Sequence, residues 1–276
     1  MKVFISADME GATGVVAWVQ TEPKYPAYEA ARALMVGDVN AAIAGAFEGG
    51  ATEVIVNDSH DVMLNLPLAQ IDPRARLLSG PEKPLSMVEG VQGCDLALFT
   101  GYHARMGTPK AVLDHTYVSR CHRVWLNDLE VGETGINAAV AGHFGVPVGL
   151  VTGDEAVCAE ARELLGEVQT AAVKEARGRQ SALCAPQSTT REIIREAARR
   201  AVAGAGRFRP FRVQGVPQGE AAFTVEFADS QQAARAGLYR AARALDGLRV
   251  RVQGDDVLAA FLHFLNIIDL SRDPNS

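Results

Sequence analysis

Val3-Phe4-Ile5-Ser6-Ala7 runs directly into Asp8-Met9-Glu10-Gly11. Five uncharged, mostly apolar residues read as a buried strand, and two carboxylates with a glycine mark its end. From Tyr28 to Phe47 the apolar residues Leu34, Met35, Val39, Ala42, Ile43, Ala46 and Phe47 recur at helical spacing, and Gly49-Gly50 supplies the stop. Glu53-Val54-Ile55-Val56-Asn57 forms the next strand and ends in Asp58-Ser59-His60. Strand, helix, strand in this order is a βαβ unit, which requires parallel strands and a right-handed crossover.

The same alternation continues outward. Short strands are expected at Arg76–Leu78 and Asp95–Phe99, the latter running into Gly101-Tyr102-His103, with a short helix near Pro84–Val88 between them. Thr116–Val118 and Arg123–Leu126 read as extended, with Asn127-Asp128 as a turn. A helix carries Ile136, Ala139, Val140, His143 and Phe144 on one face, followed by a strand at Val146–Val151, a helix at Glu155–Leu165 and a strand at Gln169–Val173. Arg177–Ser188 is polar and loop-like, which suggests a boundary. Beyond it come helices at Thr190–Val202, Ser230–Leu245 and Asp256–Ile268, with strands at Ala222–Phe227 and Leu248–Val252. The expected fold is therefore α/β, a mostly parallel sheet flanked by helices. Residues 1–185 form the main part, and 186–276 a smaller α+β part or an extension of it.

Composition narrows the classes of function. Across 276 residues, 48% are hydrophobic and 22% charged, which is ordinary for a globular chain. A net charge of −6 disfavours general binding to nucleic acid or anionic lipid. The four cysteines, Cys94, Cys121, Cys158 and Cys184, form no C-x-x-C pair, so a reducing, cytoplasmic setting is expected. The N-terminal apolar run is too short for a signal-peptide core. The uncharged stretch Thr134–Gly153 contains Asn137, His143, Pro147 and several glycines and reads as a buried helix plus strand, with no membrane role.

In open α/β sheets, ligands bind beyond the carboxyl ends of the strands. Asp8 and Glu10 lie two apart in an extended segment and point the same way. His60 and His103 follow two further strands, and Glu133 stands at the start of a helix with Ile136 on its apolar face. Each has a structural reading when taken singly. Asp8 and Glu10 can cap a turn, either histidine can bond backbone, and Glu133 can stabilise a helix N-terminus electrostatically. Taken together, imidazoles and carboxylates at converging element ends form a ligand set for divalent transition metals, zinc first, with manganese or cobalt next. Two such ions and one bridging hydroxide would neutralise Asp8, Glu10 and Glu133, whereas a single ion would leave the buried site negative. A metal pair about 3.5–4 Å apart generates a nucleophilic hydroxide and polarises a carbonyl, which is the chemistry of amide hydrolysis.

These segments resemble the DppA-type D-aminopeptidases, the zinc metallopeptidases of family M55. The resemblance is carried by Ser6-Ala7-Asp8-Met9-Glu10-Gly11, Val56-Asn57-Asp58-Ser59-His60, Ser86-Met87-Val88-Glu89-Gly90, Gly101-Tyr102-His103-Ala104-Arg105 and Asn127 through Asn137. It runs through most of the first 175 residues and more weakly beyond. It implies that Asp8 bridges two zinc ions, that Glu10, His60, His103 and Glu133 complete the two coordination shells, and that His115 is catalytic. It further implies a ring-shaped homo-oligomer, a decamer, that releases N-terminal D-residues from short peptides of the D-Ala type. Read without the family, His115 follows the Met106–Asp114 loop and is either a residue of the site mouth or a solvated loop histidine.

No G-x-G-x-x-G, Walker A or G-x-S-x-G motif is present, which disfavours dinucleotide, P-loop and serine-hydrolase chemistry. Two rivals remain. An Asp-nucleophile phosphatase would use Asp8, although two histidines suit zinc better than magnesium. A non-catalytic module would hold a peptide or metal without turnover.

Overall fold

The computed structural model describes residues 1–213 and 220–273. In chain order it contains β1 (Lys2–Ala7), α1 (Tyr28–Glu48), β2 (Glu53–Asp58), β3 (Arg76–Leu78), β4 (Leu96–Tyr102), β5 (Cys121–Leu126), β6 (Leu129–Glu130), α2 (Glu133–His143), β7 (Val148–Asp154) and α3 (Glu155–Leu165). There follow β8 (Gln169–Gly178), β9 (Ser181–Cys184), α4 (Gln187–Ala203), β10 (Ala221–Phe227), α5 (Ser230–Ala236), β11 (Ala242–Ala244), β12 (Arg249–Gly254) and α6 (Val257–Leu270). Single 3₁₀ turns at Trp18–Gln20 and Ser86–Val88 lie in the loops after β1 and β3.

One sheet has the order β3-β2-β1-β4-β7-β8-β9 and is parallel except for β9, which returns antiparallel on β8. The expected parallel α/β sheet is therefore present. Alternate residues of β1 feed opposite layers, as a period of two requires. Val3 and Ile5 pack with Met35, Val39 and Ile43 of α1 and with Ile194 and Ala198 of α4. Phe4 joins Phe99 of β4, Ile136 and Val140 of α2, and Phe223, Phe261 and Phe264 of the C-terminal region. Among the described helices α1 alone is long and apolar enough to cross a membrane, and 61% of its apolar window is buried within the protein.

The second sheet, β11-β12-β10-β5-β6, is antiparallel. It takes β5 and β6 from the middle of the chain, while α4 packs on α1 of the larger sheet. The two sheets thus do not follow the 1–185 and 186–276 division of the chain. Residues 214–219 and 274–276, within the expected C-terminal part, lie outside the described residues.

Three local readings differ from the structure. The polar stretch after residue 176 forms the β8–β9 hairpin, because its edge position leaves one face to solvent. The helix expected over Ser230–Leu245 stops at Ala236. Gly237 ends it, and Ala242–Ala244 pairs with Val250–Val252, so tertiary pairing overrides the helix propensity of the Ala-Arg run. Thr116–Val118 is not a strand. Tyr117 has φ +61° and turns the chain beneath Glu133.

The strand order carries the functional information. From β1 the chain goes first to β2 on one side, and later to β4 on the other. The crevice beyond β1 and β4 is thus a topological switch point, the usual ligand position in such sheets.

Candidate metal centre

Asp8 and Glu10 leave β1 at this switch point, His60 follows β2, His103 follows β4, and Glu133 is the first residue of α2. All five are buried, Asp8, Glu10 and Glu133 each to 3% exposure. The ends of β1 and β4 are pressed together by glycine. Gly11 N–H donates to Gly101 O at 2.7 Å, and a Cβ on Gly11 would fall 1.8 Å from Tyr102 O. Gly101 has φ +70°, and a Cβ there would fall 2.1 Å from Asp8 O. Only residues without side chains let the backbones approach so closely. That approach brings Asp8 to His103.

The five side chains and His115 converge. His60 Nδ1 lies 3.0 Å from Glu10 Oε2 and 3.3 Å from Asp8 Oδ1. His103 Nε2 lies 3.2 Å from Glu133 Oε1 and 3.5 Å from Asp8 Oδ2. The two oxygens of Asp8 thus face two different imidazoles. His115 Nε2 is 3.8 Å from Glu133 Oε1, and its ring stacks on His103 at 3.9 Å and meets the edge of Trp18 at 5.3 Å. The ligand-type atoms of Asp8, Glu10 and His103, and those of His103, His115 and Glu133, form two groups, each within 4.8 Å.

Each imidazole is tied to backbone through its other nitrogen. His60 Nε2 meets Thr21 O at 2.8 Å, His103 Nδ1 meets Ala104 O at 3.1 Å, and His115 Nδ1 meets Leu113 O at 2.9 Å. A carbonyl can only accept, so these nitrogens carry the protons. In the neutral tautomers the remaining nitrogens turn lone pairs toward carboxylate lone pairs. Asp8 Oδ2, Glu10 Oε2 and His103 Nε2 are buried and have no hydrogen-bond partner, despite neighbours at 3.0–3.5 Å. Buried polar atoms without partners are costly. Lone pairs facing one another across such distances ask for a cation between them, and the His and carboxylate donors match zinc. The residues present therefore fit a metal pair.

The electrostatics show the same pull toward positive charge, whether a proton on the imidazoles carries it or a cation between the side chains. Burial pushes Asp8 up to about 7, with Glu10 beside it adding to the shift. Burial also opposes the ionised form of Glu10, but His60 outweighs it and holds Glu10 well below the ordinary carboxylate range. For His103, burial disfavours the cation, yet Glu133 and Asp8 raise it to about 10. His115 moves the other way, lowered by burial and then by His103. The carboxylates call for positive charge at the centre, while His115, the most exposed of the three site imidazoles, stays neutral.

Sequence reasoning missed the groups behind these side chains. Ser6 Oγ contacts Ser59 Oγ, Met87 O and Tyr102 OH at 2.7–2.8 Å, and Tyr102 OH accepts from Asn137 Nδ2 at 2.9 Å. Tyr117 N–H donates to Glu133 Oε1 at 2.7 Å. Ser6, Ser59 and Tyr102 do stand beside the ligand-type residues in the quoted motifs, which was the available signal. Asp58 is spent locally, accepting from the N–H groups of Asn65 and Leu66. A cavity of about 950 Å³ between α3, β6, β10 and β12 is lined by none of the six site residues.

Comparison with known proteins agrees with this geometry. The M55 peptidase family profile, described as D-aminopeptidase, matches residues 1–266. A D-aminopeptidase of Bacillus subtilis strain 168 is 37% identical over 273 residues, covering 98% of both chains. The solved structure of the Zn-dependent D-aminopeptidase DppA from Bacillus subtilis, a self-compartmentalizing protease, superposes with a TM-score of 0.95 at 36% identity, covering 99% of each chain. The chain belongs to the M55 peptidase family of D-aminopeptidases.

Proposed function

We propose that the protein is a dinuclear zinc aminopeptidase that removes the N-terminal residue of short peptides, with D-Ala peptides as substrates. The observation that carries this reading is Asp8, whose two oxygens face His60 and His103 in a buried cluster where Asp8 Oδ2, Glu10 Oε2 and His103 Nε2 lack hydrogen-bond partners. Asp8, Glu10, His60, His103 and Glu133 would hold the ions. When bound, the zinc pair supplies Lewis acidity that polarises a peptide carbonyl and makes water nucleophilic near neutral pH.

The chain's own contribution is order and proton handling. Thr21, Ala104 and Leu113 carbonyls fix the tautomers of His60, His103 and His115. His115 keeps its Nδ1 proton on Leu113 O, so Nε2 is the atom that accepts a proton from water and passes it to the departing amine. Its lowered pKa keeps Nε2 free at neutral pH. Trp18 and His103 hold the ring from two sides.

The D-aminopeptidase relatives support the substrate class, and the self-compartmentalizing relative supports a closed assembly, read here as a ring-shaped decamer. Free Cys94, Cys121, Cys158 and Cys184 suit the cytoplasm, where reducing conditions keep thiols unpaired. The test combines metal analysis with turnover. Two zinc ions per chain and faster release from D-Ala-D-Ala than from L-Ala-L-Ala are expected. Metal binding without turnover would return the protein to a binding role, and turnover of a phosphomonoester alone would make it a phosphatase. Light scattering reads the assembly size, and cell fractionation the location.

A further inference from the structure

We propose that Lys174 is a positioning residue for the metal centre, acting through the loop that carries Glu10. The inference rests on the zinc reading above. Lys174 lies on β8 and is 4% exposed. Its ammonium donates to Glu10 O at 2.5 Å, to Ala12 O at 3.0 Å and to Val15 O. An ammonium has three donors, and here each meets a carbonyl of one six-residue segment. Among the described residues no carboxylate lies in ion-pair contact with it. A buried charge is tolerated only when its hydrogen bonds are made. The carbonyls in turn converge only because a cation sits among them.

The loop so gathered supplies three separate parts of the site. Glu10 gives its carbonyl to Lys174 and turns its carboxylate to His60 Nδ1 at 3.0 Å. Farther along, Trp18 meets the edge of His115, and Thr21 O holds the proton of His60 Nε2 at 2.8 Å. Asp38 of α1 grips the same loop as well, accepting from Thr13 N–H and Oγ1 at 2.8 and 2.9 Å. Without the ammonium, the carbonyls of Glu10, Ala12 and Val15 repel one another and the loop turns. The carboxylate of Glu10 and the orienting carbonyl of Thr21 then move with it. Lys174 touches no reacting atom. It sets the aim of groups that would hold the metal, as outer partners of metal ligands do.

The test uses Lys174→Met, which keeps length and volume but removes all three donors, and Lys174→Gln, which keeps part of the donor set. Ile194→Ala, in the α1–α4 layer, serves as a control that lowers melting temperature far from the loop. Zinc affinity is read by competition with a chelator, and ligand geometry by the visible spectrum of the cobalt-substituted protein. The expected result is a folded Lys174→Met variant whose zinc affinity falls about 10–100-fold, with an altered cobalt spectrum. Lys174→Gln should fall between it and the unmodified protein, and Ile194→Ala should keep the unmodified affinity. Unchanged zinc affinity in Lys174→Met would overturn the proposal, as would equal losses in Lys174→Met and Ile194→Ala. Failure of both Lys174 variants to fold would make Lys174 a folding residue alone and also overturn it. If the unmodified protein takes up no zinc, the functional reading itself fails, and the inference falls with it.

Discussion

Ser6, Ser59, Tyr102 and Asn137, with the half-buried Tyr117, form one polar cluster, and Asp8, Glu10, His60, His103 and Glu133 form another directly beside it. The two share strands. Ser6 stands two residues before Asp8, Ser59 one before His60, and Tyr102 one before His103. In the first cluster protons join the oxygens and nitrogens. Ser6 meets Ser59 and Tyr102, Asn137 donates to Tyr102 OH, and Tyr117 OH donates to Asn137 Oδ1 at 2.9 Å. In the second, close approaches leave Asp8 Oδ2, Glu10 Oε2 and His103 Nε2 without hydrogen bonds. Similar burial with opposite satisfaction separates a scaffold, which is complete in itself, from a site, which needs something added.

The sharpest way to break that comparison is to remove the added cations. Dialysis against a strong chelator should reduce peptide release by at least about 10³-fold, since a metal supplies several kcal/mol of transition-state stabilisation. Zinc should restore it. The chelated protein should also melt lower, because zinc binds the folded state alone. A chelated protein with full activity would place both clusters in the same structural class.

His115 tests the boundary of the second cluster, since it is the one imidazole whose charge burial and a neighbouring histidine both oppose. His115→Ala should keep its metal content and lose about 10²–10⁴-fold in kcat. The acid limb of the pH–rate profile should lie below pH 6.5 and vanish in the variant, because a lowered histidine pKa keeps the base unprotonated to lower pH. Full turnover in the metal-loaded variant would remove His115 from the mechanism.

How much of this was legible differs between the clusters. Asp8, Glu10, His60 and His103 could be found because each follows a run of apolar residues, and strand ends at a switch point are where chemistry collects. Glu133 required the family likeness as well, since a glutamate opening a helix is ordinary. The supporting cluster was hidden because hydroxyls and amides carry no charge signal. Lys174 was hidden because its partners are carbonyls some 160 residues away, and carbonyls have no sequence identity. The same limit explains the smaller sheet. The periodicity of β5 shows that it is a strand, but not that it pairs with β10 about a hundred residues later.

Asp38 sharpens the comparison from an intermediate case, a hydrogen-bonded carboxylate that burial still pushes up to about 6. The folded state holds the extra proton between the ordinary value of 3.8 and about 6, whereas the unfolded chain has already lost it. Asp38 therefore makes the fold less stable as pH rises through that window, and the cost is complete above it. Asn at this position cannot titrate. The stability of the unmodified protein relative to Asp38→Asn should fall by on the order of 3 kcal/mol between pH 4 and pH 7. Denaturant titrations across that range measure it, and parallel curves for the two proteins would refute it.

Tyr102→Phe gives the smallest effect and the cleanest contrast. It removes one hydroxyl that meets Ser6 and Asn137 and leaves the ring, stacked at 4.7 Å on Phe99, in place. Ser6 keeps Ser59 and Met87 O as partners, and Asn137 Nδ2 keeps the Met87 sulfur. The loss should therefore be about 1–2 kcal/mol of stability, read from denaturant midpoints. Zinc stoichiometry should not change, because the hydroxyl completes its own cluster and lends nothing directly to the next. A variant that lost metal while keeping its midpoint would join the two clusters into a single functional unit, and the division between scaffold and site would then lie elsewhere.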